Sequence, residues 1–140
     1  MHFQDAREFE VPFGRVWDVS SVTDMTEMFM LCSKFNQPLN LWNVSNVTIM
    51  SGMFRGCPKF NQPLDNWNVS SVTNMPGMFQ ECYEFNQPLN AWDVSNVTNM
   101  HSMFRECLNF NQPLNNWNVS NVHNAYNMFI DSGFQCLGNL

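Results

Sequence analysis

The chain has 140 residues and a formal net charge of −6, with six lysines and arginines in total and no basic run. This length fits one domain, and the acidic balance excludes the basic footprint of a nucleic-acid-binding protein. No apolar stretch approaches the roughly 18 residues that span a bilayer. We therefore expect neither a nucleic-acid partner nor membrane insertion.

The composition favours a packed protein with little acid–base chemistry. There are 13 Phe, 11 Met and 5 Trp, and only 13% of residues are charged. Many aromatic residues and few charges argue against disorder. The N-terminal residues have no apolar core following a basic segment, so they do not read as a secretory signal.

A 25-residue repeat organises most of the sequence. Four segments beginning with FNQPL align without gaps from Phe35, Phe60, Phe85 and Phe110, and the second half of another unit precedes them from Trp17. Repeated apolar residues form columns because a single unit cannot bury its apolar face alone. One such column is tryptophan: Trp17, Trp42, Trp67, Trp92 and Trp117.

Each unit contains two local patterns. Met50, Met53, Phe54 and Cys57 follow the i, i+3, i+4, i+7 spacing of a helix face, which predicts a short helix over about residues 49 to 56. Pro76 would occupy the first turn of the equivalent helix. The run from Leu39 through Val44 predicts a short extended segment.

These patterns predict a leucine-rich-repeat-like solenoid of about five 25-residue coils, each a short extended segment plus a short helix. Residues 17–129 would form the solenoid. Residues 1–16 would form an N-terminal cap and residues 130–140 a C-terminal cap, because exposed terminal coils need covering.

The pattern FNQPL…W[ND]VSxVTxM…MF resembles the BspA-like leucine-rich surface-protein repeat of bacteria, mycoplasmas, protists and large DNA viruses. The resemblance covers residues 17–129. It implies a solenoid fold, display on a cell surface or virion with adhesion-type interactions, and no catalytic residues. Members on cell surfaces carry a signal or lipid anchor, which this sequence does not show, and many have a small residue where this chain has cysteine.

The cysteines are also periodic: Cys32, Cys57, Cys82 and Cys107, with Cys136 outside the register. No CxxC pair exists, so the spacing of a zinc ribbon is missing. Adjacent coils could bring thiols within disulfide range. Each cysteine shares its face with Met and Phe, however, which favours a ladder of buried free thiols, and free thiols indicate a reducing compartment.

No other constellation predicts a cofactor, a metal site or a catalytic centre. His2, His101 and His123 occupy different columns, and columns of identical residues argue against a unique catalytic arrangement. The repeated Asn-Gln pairs, such as Asn61 and Gln62, predict side-chain ladders that hydrogen-bond one coil to the next.

The variable columns indicate the candidate partner-binding face. Its residues are Arg55, Lys59, Gln80, Glu81, Tyr83, Glu84, His101, Arg105 and Glu106. We expect a non-catalytic protein-interaction module with adhesive or host-facing roles. The alternative is a structural component that self-associates through the ends or edges of the repeat array.

Overall fold

The computed structural model describes residues 17–134, and in this range the repeats stack as five units. Unit 1 comprises residues 17–34, unit 2 residues 35–59, unit 3 residues 60–84, unit 4 residues 85–109 and unit 5 residues 110–134. The predicted N-terminal cap and residues 135–140 of the predicted C-terminal cap lie outside this range. Phe134 stacks on Phe129 at 4.4 Å, so the first residues assigned to the second cap complete unit 5.

The described residues contain no helix, and their only strand-like features are isolated parallel bridges. These bridges join one residue of each unit to its equivalents in the neighbouring units: Asp24, Ile49, Asn74, Asn99 and Asn124. The prediction of a leucine-rich-repeat-like solenoid with an extended segment and a helix in each coil was therefore wrong. The units are built from successive turns.

The segment predicted to be a helix, residues 49 to 56, fails to form one because its N–H groups alternate between two kinds of acceptor. The N–H of Met50 donates to the Asn74 carbonyl of the next unit at 2.9 Å. The N–H of Met53 donates to the Met50 carbonyl at 3.3 Å and closes a turn within the unit. An α-helix requires each N–H to bond four residues back, so this alternation excludes it. The same alternation recurs at every junction between the units.

Two residues in each turn run have positive φ, a conformation that interrupts any right-handed helix. The first column is Glu27, Gly52, Gly77, Ser102 and Asn127, and the second is Leu31, Gly56, Glu81, Glu106 and Asp131. A positive φ at the third residue is typical of a type II turn. Pro76 therefore does not begin a helix. It precedes Gly77 (φ 61°) in a turn closed by the Met78 N–H on the Met75 carbonyl at 3.4 Å.

The core consists of columns of identical side chains, as the repeat predicts. One column is Phe29, Phe54, Phe79, Phe104 and Phe129, with successive ring centroids 5.7 Å apart. A second phenylalanine column stacks beside it, with Phe54 and Phe60 only 4.2 Å apart. The tryptophans of units 2 to 5 are buried, and Trp17 is half-buried. Burial of these columns supplies the hydrophobic stabilisation that no single unit could provide.

Hydrogen bonds of asparagine and glutamine side chains link neighbouring units at the surface. The Asn36 side-chain oxygen accepts from the Asn61 N–H at 2.9 Å and from the Gln62 amide at 3.1 Å. The same contacts recur at the next two junctions, through Asn61 and Asn86. The predicted Asn-Gln ladder is thus confirmed. It satisfies backbone N–H groups at turns that have no partner within their own unit.

Candidate interaction surface

A surface groove of about 360 Å³ runs along the stack across units 2 to 4. Its floor lies at the first positive-φ column, where Gly52 and Gly77 carry no side chain and Ser102 follows them in unit 4. A Cβ added to Gly77 would stand 3.2 Å from the Gln80 Oε1 atom. The groove therefore exists because two neighbouring units have glycine at a position where the others have Glu, Ser or Asn.

The walls of the groove are the two columns on either side of this floor. Ser51, Pro76 and His101 form one wall, and Arg55, Gln80 and Arg105 form the other. Glu27 of unit 1 closes one end. The structure thus brings together four of the predicted face residues, Arg55, Gln80, His101 and Arg105; whether they bind a partner stays a prediction.

The polar groups of the groove are unevenly satisfied. Ser102 is 2% exposed, and its hydroxyl has no hydrogen-bond partner. The Arg105 Nε atom is also buried without a partner. Within the described part of the chain, no carboxylate lies within ion-pair distance of Arg55 or Arg105. Buried polar atoms without partners are costly, so their concentration at one groove marks it as unusual.

The other predicted face residues lie outside the groove. Lys59 and Glu84 form an exposed ion pair across units 2 and 3 at 3.2 Å, and Tyr83 beside them is 42% exposed. Glu81 and Glu106 are half-buried in the second positive-φ column. Exposed ion pairs contribute little stability, so the Lys59–Glu84 pair adds little to the stability of the stack.

Six groove residues are not among the predicted face residues: Glu27, Ser51, Gly52, Pro76, Gly77 and Ser102. The available signal was the Pro76-Gly77 dipeptide, which is typical of a type II turn and argues against a helix at this position. If residues 49 to 56 and their equivalents form turns, Gly52 and Gly77 lie in one column and leave a gap in the surface. The buried position of Ser102 carries no sequence signal.

The four periodic cysteines are buried thiols, as expected for small hydrophobes. Each thiol of units 2 to 4 donates to a backbone carbonyl of the preceding unit; the Cys57 Sγ lies 2.9 Å from the Phe29 oxygen. A hydrogen bond with Cys32 is the largest cause that raises the pKa of the Cys57 thiol, and burial is the second. Burial raises the pKa of Cys82 and raises that of Cys107 to about 12. These thiols are therefore protonated and poor nucleophiles.

The carboxylates of Asp18 and Asp93 serve local structure. Each accepts from the serine two residues on, and hydrogen bonds from the side chains and backbone of Ser20 and Ser95 lower the pKa of these carboxyls. Asn43 makes the same contact to the Ser45 N–H at 3.0 Å. Within residues 17–134, no three His, Cys, Asp or Glu side chains are grouped in a way that could hold a metal ion.

The end of the stack at unit 5 forms a second distinctive surface. Val119 is 50% exposed, whereas the equivalent Val94 is 1% exposed. An apolar cavity of about 360 Å³ opens there beside Trp117, Val122 and Met128. The N–H groups of Ala125, Asn127, Phe129 and Asp131 correspond to ladder donors in units 1 to 4, yet they have no acceptor among the described residues. This end is an open edge.

The fold and its surfaces define a class of protein: a stack of turn-built 25-residue repeats with a polar groove on its variable side. A sequence model of the family described as "Mycoplasma protein of unknown function, DUF285" matches residues 1–80 and 62–135. The chain belongs to this family, and the mycoplasma part of the resemblance seen in the sequence is confirmed. No curated protein and no solved structure matches the chain. In the described range, no helix has the length and hydropathy to cross a bilayer.

Proposed function

We propose that this protein is a non-catalytic protein-interaction module that binds its partner through the variable side of the stack. The observation that carries the proposal is the polar groove, because it coincides with columns that vary between units while the core columns do not. A rigid stack of repeats holds such side chains at fixed spacing, which is how repeat proteins build extended binding surfaces.

The BspA-like resemblance supports a surface-displayed, adhesive or host-facing setting for this interaction. The pattern W[ND]VSxVTxM, which carries that resemblance, places invariant residues in the core and leaves the groove columns free to vary.

The test is selection from a displayed library of random peptides against the immobilised full chain. We expect enriched sequences that bind the wild-type chain and lose binding to a variant carrying Arg55→Ser, Gln80→Ser and Arg105→Ser. A variant with Leu41→Ser, an exposed residue outside the groove, is the control. Enriched peptides that bind all three proteins equally would overturn the assignment of the face.

A second candidate function is assembly through the open end at unit 5. The exposed Val119 and the unpaired ladder donors favour it, since each inner junction of the stack covers the same groups. Such a contact would add carbonyl acceptors and apolar side chains to this edge. Light scattering across a concentration series tests it: mass should grow for the wild type and not for Val119→Lys. The flank variant Leu41→Lys should behave like the wild type, and a constant monomer mass for all three proteins would contradict assembly.

A further inference from the structure

We infer that the groove is a carboxylate-binding site, and that the partner recognised there is an acidic peptide segment. This inference rests on the proposed function and deepens it by naming the chemistry of the ligand. The residues that would hold the carboxylate are Arg105, Ser102 and Gln80, and Arg55 would hold a second acidic group.

Two buried hydrogen-bond donors at the groove have no hydrogen-bond partner. Ser102 is almost fully buried, yet its hydroxyl has no partner, and the Arg105 Nε atom is buried beside the same groove without one. A native protein satisfies nearly all buried polar groups. Both side chains line the groove, so a rotation of each would turn these buried donors towards a carboxylate bound there, and the guanidinium fork matches the two oxygens of that group.

Two positively charged arginine side chains line the groove. Arg55 and Arg105 face the groove, and neither forms an ion pair within the described part of the chain. Lys59, by contrast, is already paired with Glu84. Two unpaired guanidiniums on one wall create a local positive potential in a chain whose net charge is −6, and such a potential attracts anions.

The charge and the backbone geometry of the groove favour a carboxylate over a phosphate. Glu27 lies at one end of the groove and the chain as a whole is acidic, so a dianion would be repelled more strongly than a monoanion. The groove also contains no backbone nest or helix N-terminus of the kind that favours phosphate, because its turn N–H groups bond to neighbouring units.

The separation of Arg55 and Arg105 along the stack suits an extended peptide. Arg55 and Arg105 are two units apart, and each unit advances the phenylalanine rings by 5.7 Å. An extended peptide presents every second side chain on one face at about 6.6–6.8 Å. Over two units the advance of the rings is about 11.4 Å, twice 5.7 Å, and acidic side chains four residues apart on one face of an extended segment are about 13.2–13.6 Å apart. The long arginine side chains cover the difference of about 2 Å, so two such acidic groups can reach both arginines along the wall that also contains Gln80.

The experiment uses the full chain and a fluorescent, C-terminally amidated octapeptide of alternating Glu and Gly. Binding is followed by fluorescence anisotropy at low salt. We expect the isosteric Gln-Gly peptide to bind at least about tenfold more weakly, because charge-assisted hydrogen bonds are worth an order of magnitude or more. Added salt should weaken binding of the acidic peptide. A Gly octapeptide with a free C-terminal carboxylate tests whether a terminal carboxylate is accepted in place of an acidic side chain.

The variants separate the groove from general charge. Arg105→Gln should lose at least about tenfold in affinity for the acidic peptide, and Ser102→Ala should lose several-fold. Lys34→Gln changes the net charge by the same amount at an exposed residue of unit 1 outside the groove and should retain wild-type affinity. Arg105→Lys keeps the charge but loses the planar fork, so its affinity should fall between the two. Thermal unfolding of each variant checks that it is folded.

Equal binding of the Glu and Gln peptides, or equal losses in Arg105→Gln and Lys34→Gln, would overturn the inference. Displacement of the acidic peptide by inorganic phosphate at lower concentration than by acetate would overturn the carboxylate assignment. If random-peptide selection still yields ligands that depend on Gln80 but are not acidic, the carboxylate site is wrong and the interaction module stands. If neither selection nor the acidic peptide gives binding at the groove, both proposals fail.

Discussion

The indole Nε1 of Trp67 donates to the backbone carbonyl of Leu39 at 2.9 Å, and this hydrogen bond joins unit 3 to unit 2 in the core. Trp92 and Trp117 repeat the contact with the carbonyls 28 residues before them. The Nε1 atom of Trp42 is buried without a partner. Two tryptophans of one column, equally buried, thus differ by one hydrogen bond.

This difference predicts unequal effects of two identical substitutions. Trp67→Phe should lower the free energy of unfolding by about 1 kcal/mol more than Trp42→Phe, because only the former removes a made hydrogen bond. Both variants lose the same ring area, so packing effects largely cancel. Urea unfolding followed by circular dichroism measures the difference. Equal losses in the two variants would show that the indole bond contributes nothing to stability.

The columns of the core could be predicted from the sequence because a 25-residue period places identical residues on top of one another. The predicted burial of the Phe, Met, Val and Cys columns holds in units 2 to 4. The helix was predicted wrongly because spacing at i, i+3, i+4 and i+7 also arises from successive four-residue turns, each closed by an i to i+3 hydrogen bond, that bury the same face. Spacing alone does not distinguish these, whereas Gly52, Gly56 and Gly77 inside the run favour turns.

The groove was only half predictable. Variation between units indicated Arg55, Gln80 and Arg105 as candidate face residues. In the structure Arg55 is exposed, Arg105 is half-buried and Gln80 is buried, and whether they bind a partner stays a prediction. Their convergence depends on the turn geometry, which sets the floor between two walls. The unsatisfied hydroxyl of Ser102 depends on packing against neighbouring units and leaves no trace in the sequence.

The positive-φ columns predict opposite effects for two substitutions involving glycine. Gly77→Ala should cost about 1 kcal/mol, because a left-handed residue with a Cβ is strained by about 1–2 kcal/mol and the new Cβ would lie 3.2 Å from Gln80 Oε1. Glu106→Gly relieves the same strain at φ 60°. Its gain is reduced by the added freedom of the unfolded chain, which leaves a net stabilisation of about 0.5 kcal/mol.

The control for this pair is Glu84→Gly, since Glu84 is not among the positive-φ residues. This variant should be slightly destabilised, because glycine there adds unfolded-state entropy and relieves no strain. Thermal unfolding of the three variants compares them directly. A stabilised Glu84→Gly or a destabilised Glu106→Gly would refute the backbone explanation.

Gly133 marks a close approach of unit 5 to unit 4. A Cβ at this position would lie 2.3 Å from the Leu108 carbonyl oxygen and 3.2 Å from that of Phe110. Backbone atoms cannot move aside as a flexible side chain can, so Gly133→Ala should cost about 1–3 kcal/mol or release the end of the stack. Hydrogen exchange should show faster exchange of the Ile130 and Ser132 amides, while Gly77 is unaffected.

Gly52→Ala is the comparison for that variant. Its new Cβ would meet the Glu27 Cγ atom at 3.4 Å, an ordinary contact with a flexible side chain, and its cost comes from φ 61° alone. Increased exchange should then be centred on unit 2 and not on unit 5. Identical exchange patterns for the two variants would indicate that contact with the Leu108 carbonyl does not determine the effect.

The buried thiols predict slow chemistry at neutral pH. In a Cys136→Ser background, native protein should react with Ellman's reagent at pH 8 only as fast as it unfolds, because the thiolate is the reactive form. Four thiols, Cys32, Cys57, Cys82 and Cys107, should become reactive in urea. Prompt labelling of native protein would contradict the burial of the column.

The same burial predicts how stability depends on alkaline pH. Burial raises the pKa of Cys107 from about 9 in the unfolded chain to about 12 in the folded one. The folded state then binds more protons than the unfolded state between these values, so the contribution of the thiol to stability is complete below about pH 9 and is lost as pH rises towards 12. Adding Cys107→Ala to the Cys136→Ser background removes this contribution and leaves every other side chain in place. Between pH 9 and 11 the free energy of unfolding should therefore fall more steeply in the parent than in the alanine variant, by up to about 1.4 kcal/mol per pH unit. Parallel curves for the two proteins would mean that the Cys107 thiol has the same pKa in both states.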